Sequence, residues 1–185
     1  MRVLVILILS ASVASGCAGA KVADLTRVDA SSLFGVHYVD HPRYGQIRRE
    51  RAHAGVDYRA PEGAPVLAAA EGVVSVFEDP SCGLGVLITH SYGMYTAYCH
   101  LQERLVSTGI IVRCGAVIGR IGTTGSSSGV PHVHLGLFNK PPYLYREFKM
   151  AEGALDPHSL MAGCFVADHE YPRDKLVLTY PIECR

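Results

Sequence analysis

Two histidine-bearing motifs carry the chemistry in this sequence: His53-Ala54-Gly55-Val56-Asp57 and His132-Val133-His134. Imidazole nitrogen and carboxylate oxygen are ligands that zinc prefers. A hydrolytic zinc site uses three protein ligands and leaves a fourth position for water. Side chains two apart on a strand share a face, so His132 and His134 project together. Residues four apart on an extended segment do the same, which lets His53 and Asp57 converge on one ion, with Val56 and Val133 turned to the core. Each motif taken singly is more often a surface or hydrogen-bonded histidine than a ligand; two in one chain make a metal site the better reading. Either member of His132-Val133-His134 satisfies the geometry. A third element is Tyr98-Cys99-His100-Leu101, at the end of an apolar run, where strict alternation puts His100 on the face opposite Cys99.

The elements that must position these residues read as short strands. Val73–Phe77, Gly85–His90, Tyr95–His100, Val117–Gly122 and His132–Leu137 are runs rich in β-branched or aromatic residues. Asp79-Pro80-Ser81-Cys82-Gly83 and Ser91-Tyr92-Gly93 are turn signals, and the second is expected to close a hairpin. No long helical period intervenes, which predicts a mainly β domain: an antiparallel sheet forming the floor of an open groove walled by loops. A short helix or irregular stretch is expected around Leu144–Met150. His90 is read as a structural hydrogen bonder, and His37, His41, His158 and His169 as surface or core residues. Arg48-Arg49-Glu50-Arg51 reads as a solvated loop beside the cleft, with contact to peptide carboxylates the alternative.

The chain has 185 residues, with 17 Lys and Arg balanced by 17 Asp and Glu. That length fits one globular domain, and the zero net charge argues against a nucleic-acid partner, which calls for a basic surface. Met1-Arg2, the apolar run Val3–Leu9 and the small residues Ser10–Gly16 read as a signal peptide, too short in its apolar core to span a bilayer. Small residues before Cys17 resemble a lipobox, although Ala14 stands where Leu or Val is usual. The expectation is cleavage before Cys17, lipidation of its thiol and anchoring in the bacterial cell envelope, at the outer membrane facing the periplasm; ordinary secretion is the alternative. Residues 1–16 are then the signal, 17–34 the lipidated cysteine and tether, 35–162 the domain and 163–185 a tail. An exported chain with five further cysteines implies disulfides. Cys164 and Cys184 bracket the tail and are expected to pair; spacing does not assign Cys82, Cys99 or Cys114.

The order of motifs resembles the lysostaphin/LytM-type zinc metallopeptidases. His53–Tyr58 followed by Ala60–Val66 looks like the first signature of that family. Gly72-Val73-Val74, Tyr98–Leu101, Val106–Gly109, Val112, Gly115, Ile118-Gly119, Thr124-Gly125 and Gly129–Leu135 continue its pattern over roughly residues 50 to 160, and Asp156-Pro157 resembles its closing segment. Val130 is an extra residue in the final signature, where a local bulge is expected. The resemblance implies one zinc per chain held by His53, Asp57 and His134, with His100 and His132 as catalytic histidines. It implies hydrolysis of stem or cross-bridge peptides of peptidoglycan, with a regulatory envelope partner left unspecified. A catalytically inactive scaffold or amidase activator is the rival reading; such relatives lack one or more metal ligands, and all five site positions are present here.

Overall fold

A computed structural model describes the backbone of residues 30–33, 38–41 and 45–48, and residues 55–127, 129–142, 153–172 and 174–184 in full. Ten of the twelve strands form one antiparallel sheet. These are β1 (Ala30–Leu33), β4 (Gly55–Arg59), β5 (Pro65–Leu67), β6 (Gly72–Asp79), β7 (Gly83–Thr89), β8 (Tyr95–Arg104), β9 (Ile111–Val112), β10 (Val117–Ile121), β11 (His132–Phe138) and β12 (Ala154–Leu155). The remaining two, β2 (Tyr38–His41) and β3 (Gly45–Arg48), pair with each other. The main path runs β1-β4-β11-β8-β7-β6-β9, while β10 bridges β5 and β8 and β12 pairs with β11. The expected mainly β, antiparallel architecture is therefore what the chain adopts.

The two turn signals act as hairpin connections. Asp79 opposes Gly83 at the end of the β6–β7 ladder, leaving Pro80, Ser81 and Cys82 as the loop. Asp79 Oδ1 accepts from Ser81 N (2.8 Å) and Cys82 N (3.1 Å), and Gly83 takes a φ of +68° that a side chain would resist. The β7–β8 connection passes through Ser91–Gly93 as a single 3-10 turn.

Three places differ from the sequence reading. Ala30–Leu33 falls in the stretch read as a tether, yet its backbone pairs antiparallel with β4, Ser31 opposite Asp57. The tail does not stand apart: Leu178, Tyr180 and Ile182 join the main core, and Thr179 N donates to Ala69 O at 2.8 Å. Apolar side chains spread through this segment need a surface to cover, and the outer side of the β5 region supplies it. Finally, β11 shows no bulge, since its register with β4 and β8 is unbroken over His132–Phe138. Val130 is absorbed in the loop ahead of the strand. Residues 143–152, including the stretch expected around Leu144–Met150, lie outside the described residues, as do the signal segment and Cys17.

Candidate metal centre and active site

Strands β4, β11 and β8 lie side by side and carry the site. Residues directly opposed across an antiparallel pair share a face. Val56 opposes Leu135, and Val133 opposes Tyr58; all four are fully buried in the core. The alternate positions put Asp57 opposite His134 on the other face. There Asp57 Oδ1 and His134 Nδ1 lie 2.9 Å apart, with the residues only 5% and 1% exposed. His132, two residues before His134, points the same way, and its Nε2 lies 3.8 Å from the same Asp57 oxygen. Gly55 leaves space for this cluster: a Cβ there would sit 2.6 Å from His134 Nε2 and would overlap Leu135 O.

His100 reaches the site by breaking alternation. Along the β7–β8 ladder Val86 opposes Tyr98 and Leu84 opposes Leu101, so Cys99 and His100 together face the single residue Gly85. This is a β-bulge, and His100 occupies it with a left-handed φ of +65°. Cys99 is the register partner of His134. Regular pleating would send His100 to the core side with Tyr98; the bulge turns it back, and its ring centroid lies 4.7 Å from that of His132 and 6.2 Å from that of His134. A non-glycine residue held in this region is a recurrent feature of functional sites.

Backbone carbonyls fix the tautomers of both outer histidines. His100 Nδ1 donates to Thr124 O at 2.8 Å, and His132 Nδ1 donates to Val130 O at 2.7 Å. A carbonyl only accepts, so each Nδ1 carries the proton and Nε2 is the basic nitrogen of each neutral ring. Burial, reinforced by the neighbouring His132, pushes His100 down to about 4, so its ring is neutral at neutral pH.

The donor set fits zinc as far as the described residues reach: a buried carboxylate oxygen and an imidazole nitrogen are close enough to share one ion, with room kept by Gly55. Among the described residues no group of three potential ligands is assembled. The third expected ligand, His53, lies outside them. His90 stands apart, donating from Nδ1 to Glu71 O (2.7 Å) while its Nε2 bonds to Thr96 Oγ1 (2.7 Å). His158 and His169 are exposed. A disulfide joins Cys164 to Cys184, and a second joins Cys82 to Cys99. Sequence reasoning gave no role to Gly55, Thr124 or Val130. The last two act through backbone carbonyls, which leave no mark on residue type.

Residues 51–145, about half of the chain, match the sequence profile described as Peptidase family M23. The chain belongs to peptidase family M23. The matched M23 segment contains β4 through β11 and hence every described site residue. The chain is 47% identical over 95 residues to the peptidoglycan DD-endopeptidase ShyC of Vibrio cholerae, covering 51% of this chain and 21% of that protein. It is 42% identical over 118 residues to the DD-carboxypeptidase/endopeptidase Mpg of Neisseria meningitidis, covering 63% of this chain and 26% of the relative. The chain thus spans about a quarter of the length of these curated relatives. Among solved structures, a zinc containing peptidase from Vibrio cholerae superposes with a TM-score of 0.52 at 31% identity, over 69% of this chain and 39% of that one. The catalytic domain of lysostaphin from Staphylococcus simulans gives 0.55 at 25% identity, over 73% and 92%. The fold is that of the lysostaphin/LytM-like M23 peptidases.

Proposed function

We propose that this M23 protein is a zinc-dependent endopeptidase that hydrolyses peptide cross-links or stem peptides of bacterial peptidoglycan. The observation that carries the reading is the meeting of Asp57, His134, His132 and His100 on one face of β4–β11–β8, where β8 breaks its pleat to deliver His100. In this reading His53, Asp57 and His134 hold one zinc ion, which supplies Lewis acidity toward the scissile carbonyl and an activated water near neutral pH. The chain does the rest. Thr124 O and Val130 O hold the Nδ1 protons of His100 and His132, so each ring presents Nε2 to the reaction. Between them they take the proton from the attacking water, hydrogen-bond the developing oxyanion once protonated, and return a proton to the departing amine.

The substrate class draws on the relative ShyC, whose name describes a peptidoglycan DD-endopeptidase. A D-Ala to diaminopimelate cross-link is the first assignment and a glycine bridge the second. Export and a lipid on Cys17 would place the enzyme in the cell envelope with direct access to that polymer. The test is digestion of purified, directly cross-linked peptidoglycan with the full chain, followed by mass spectrometry of the products. Cross-linked dimers should convert to monomers with one water added, and a zinc chelator should stop the conversion. Dimers left intact by zinc-loaded protein would refute the proposal.

A further inference from the structure

The bulge that delivers His100 is tied down at several points, and one of the ties is covalent. Cys82, in the β6–β7 turn, is bonded to Cys99, the other residue of the bulge, and both are fully buried. The carbonyl of the same Cys82 accepts the backbone N–H of His100 at 2.7 Å. Thr124, whose carbonyl holds the His100 ring, is itself fixed to both strands of the bulge. Its Oγ1 donates to Leu101 O at 2.8 Å and accepts from Leu84 N at 3.0 Å. The turn and the Thr124 loop are pressed backbone to backbone: Ser126 N donates to Ser81 O at 2.8 Å, and a Cβ on Gly125 would come within 2.6 Å of that same oxygen. The competing arrangement is easy to specify. If Cys99 and His100 paired regularly with β7, the bulge would vanish and alternation would carry His100 to the core side, away from His132.

We propose that the Cys82–Cys99 disulfide is a positioning device for His100, holding β8 in the bulged register that presents this histidine to the substrate. The inference rests on the peptidase reading for its kinetic consequence. Without the bond, hydrogen bonds and packing alone oppose the regular register, and His100 spends part of its time out of place. The described metal ligands, Asp57 and His134, sit on β4 and β11, so zinc stays bound.

The test compares two full-length, zinc-loaded variants, Cys82→Ala/Cys99→Ala and Cys164→Ala/Cys184→Ala. The bonds they remove span 17 and 20 residues, so loss of chain constraint is similar in both. On a cross-linked muropeptide, the first variant should lose about tenfold or more in kcat with KM unchanged, while the second keeps wild-type kcat. In a His100→Ala background, removing Cys82–Cys99 should cost nothing further in kcat. The His100 Nδ1 proton, held by Thr124 O, should give a slowly exchanging NMR signal in the wild type that is lost from the first variant only. Wild-type kcat in the first variant, or a further loss on top of His100→Ala, would overturn the proposal. If the wild type cleaves no muropeptide, the peptidase reading falls by itself and the ring-proton signal decides: unchanged without the bond, it overturns the positioning role. Cys82→Ala/Cys99→Val, which restores buried volume, guards against misfolding. Should neither form fold while Cys164→Ala/Cys184→Ala does, the bond serves the fold at large and the proposal is wrong.

Discussion

Gly55 has no side chain, and the placement of His134 depends on that. Any Cβ at this position would meet His134 Nε2 at 2.6 Å and overlap Leu135 O, so the ring or the strand must move. Gly55→Ala should therefore shift His134 from Asp57 and lower zinc affinity by at least tenfold, read by competition with a chelator of known affinity; unchanged affinity would contradict this placement. The ligand-type residues themselves were legible in the sequence, because imidazole and carboxylate groups at spacings of two and four announce a metal on extended backbone. Spacing left His132 and His134 equivalent. In the structure His134 lies nearer to Asp57, at 2.9 Å against 3.8 Å for His132, in keeping with the proposed division of roles. The supporting carbonyls of Thr124 and Val130 could not be read, since any residue type offers the same oxygen.

Strands β6, β7, β8, β10 and β11 were legible from their β-branched runs and the turns between them, whereas β5, β9 and β12, of two or three residues each, are too short to show a period. The bulge was illegible for a different reason. Nothing in Tyr98-Cys99-His100-Leu101 marks an interrupted pleat, and alternation read literally turns His100 the wrong way. The same hairpin carries a buried polar chain at its far end. Just beyond β7, His90 links Glu71 O to Thr96 Oγ1, which lies 3.1 Å from the Tyr98 hydroxyl; that hydroxyl accepts from Ala69 N at 2.8 Å. Burial pushes His90 down to about 4, against an ordinary value near 6.5. The folded state thus prefers the neutral ring. That preference stabilises fully above about pH 6.5 and is lost as the pH falls towards 4, a change on the order of 3 kcal/mol. In chelator-treated protein the urea midpoint should drop between pH 7 and pH 4.5, and the drop should be clearly smaller in His90→Gln. Equal drops in the two proteins would show that His90 does not carry it.

Across the whole molecule, the C-terminal segment closes over the core that the sheet leaves open. The pairing of Cys164 with Cys184 holds it there, with Tyr171, Leu178, Tyr180 and Ile182 beneath. Read as sequence, this segment resembled an appendage, because tertiary cover is not written in any local pattern. Removing the bond should cost about 3 kcal/mol of stability through loop entropy, seen as a lower denaturant midpoint. Zinc content should stay at the wild-type level, since no described ligand lies in the segment; zinc loss there would show the tail to be part of the site. We propose that the His132-Val133-His134 pair divides into a ligand, His134, and a catalytic group, His132. The most direct measurement is zinc per chain, by elemental analysis, in full-length His134→Ala and His132→Ala, each assayed alongside for muropeptide hydrolysis. His134→Ala should lose zinc and activity together, whereas His132→Ala should keep about one zinc and lose at least roughly a hundredfold in turnover. A zinc-free His132→Ala beside a zinc-replete His134→Ala would contradict the account.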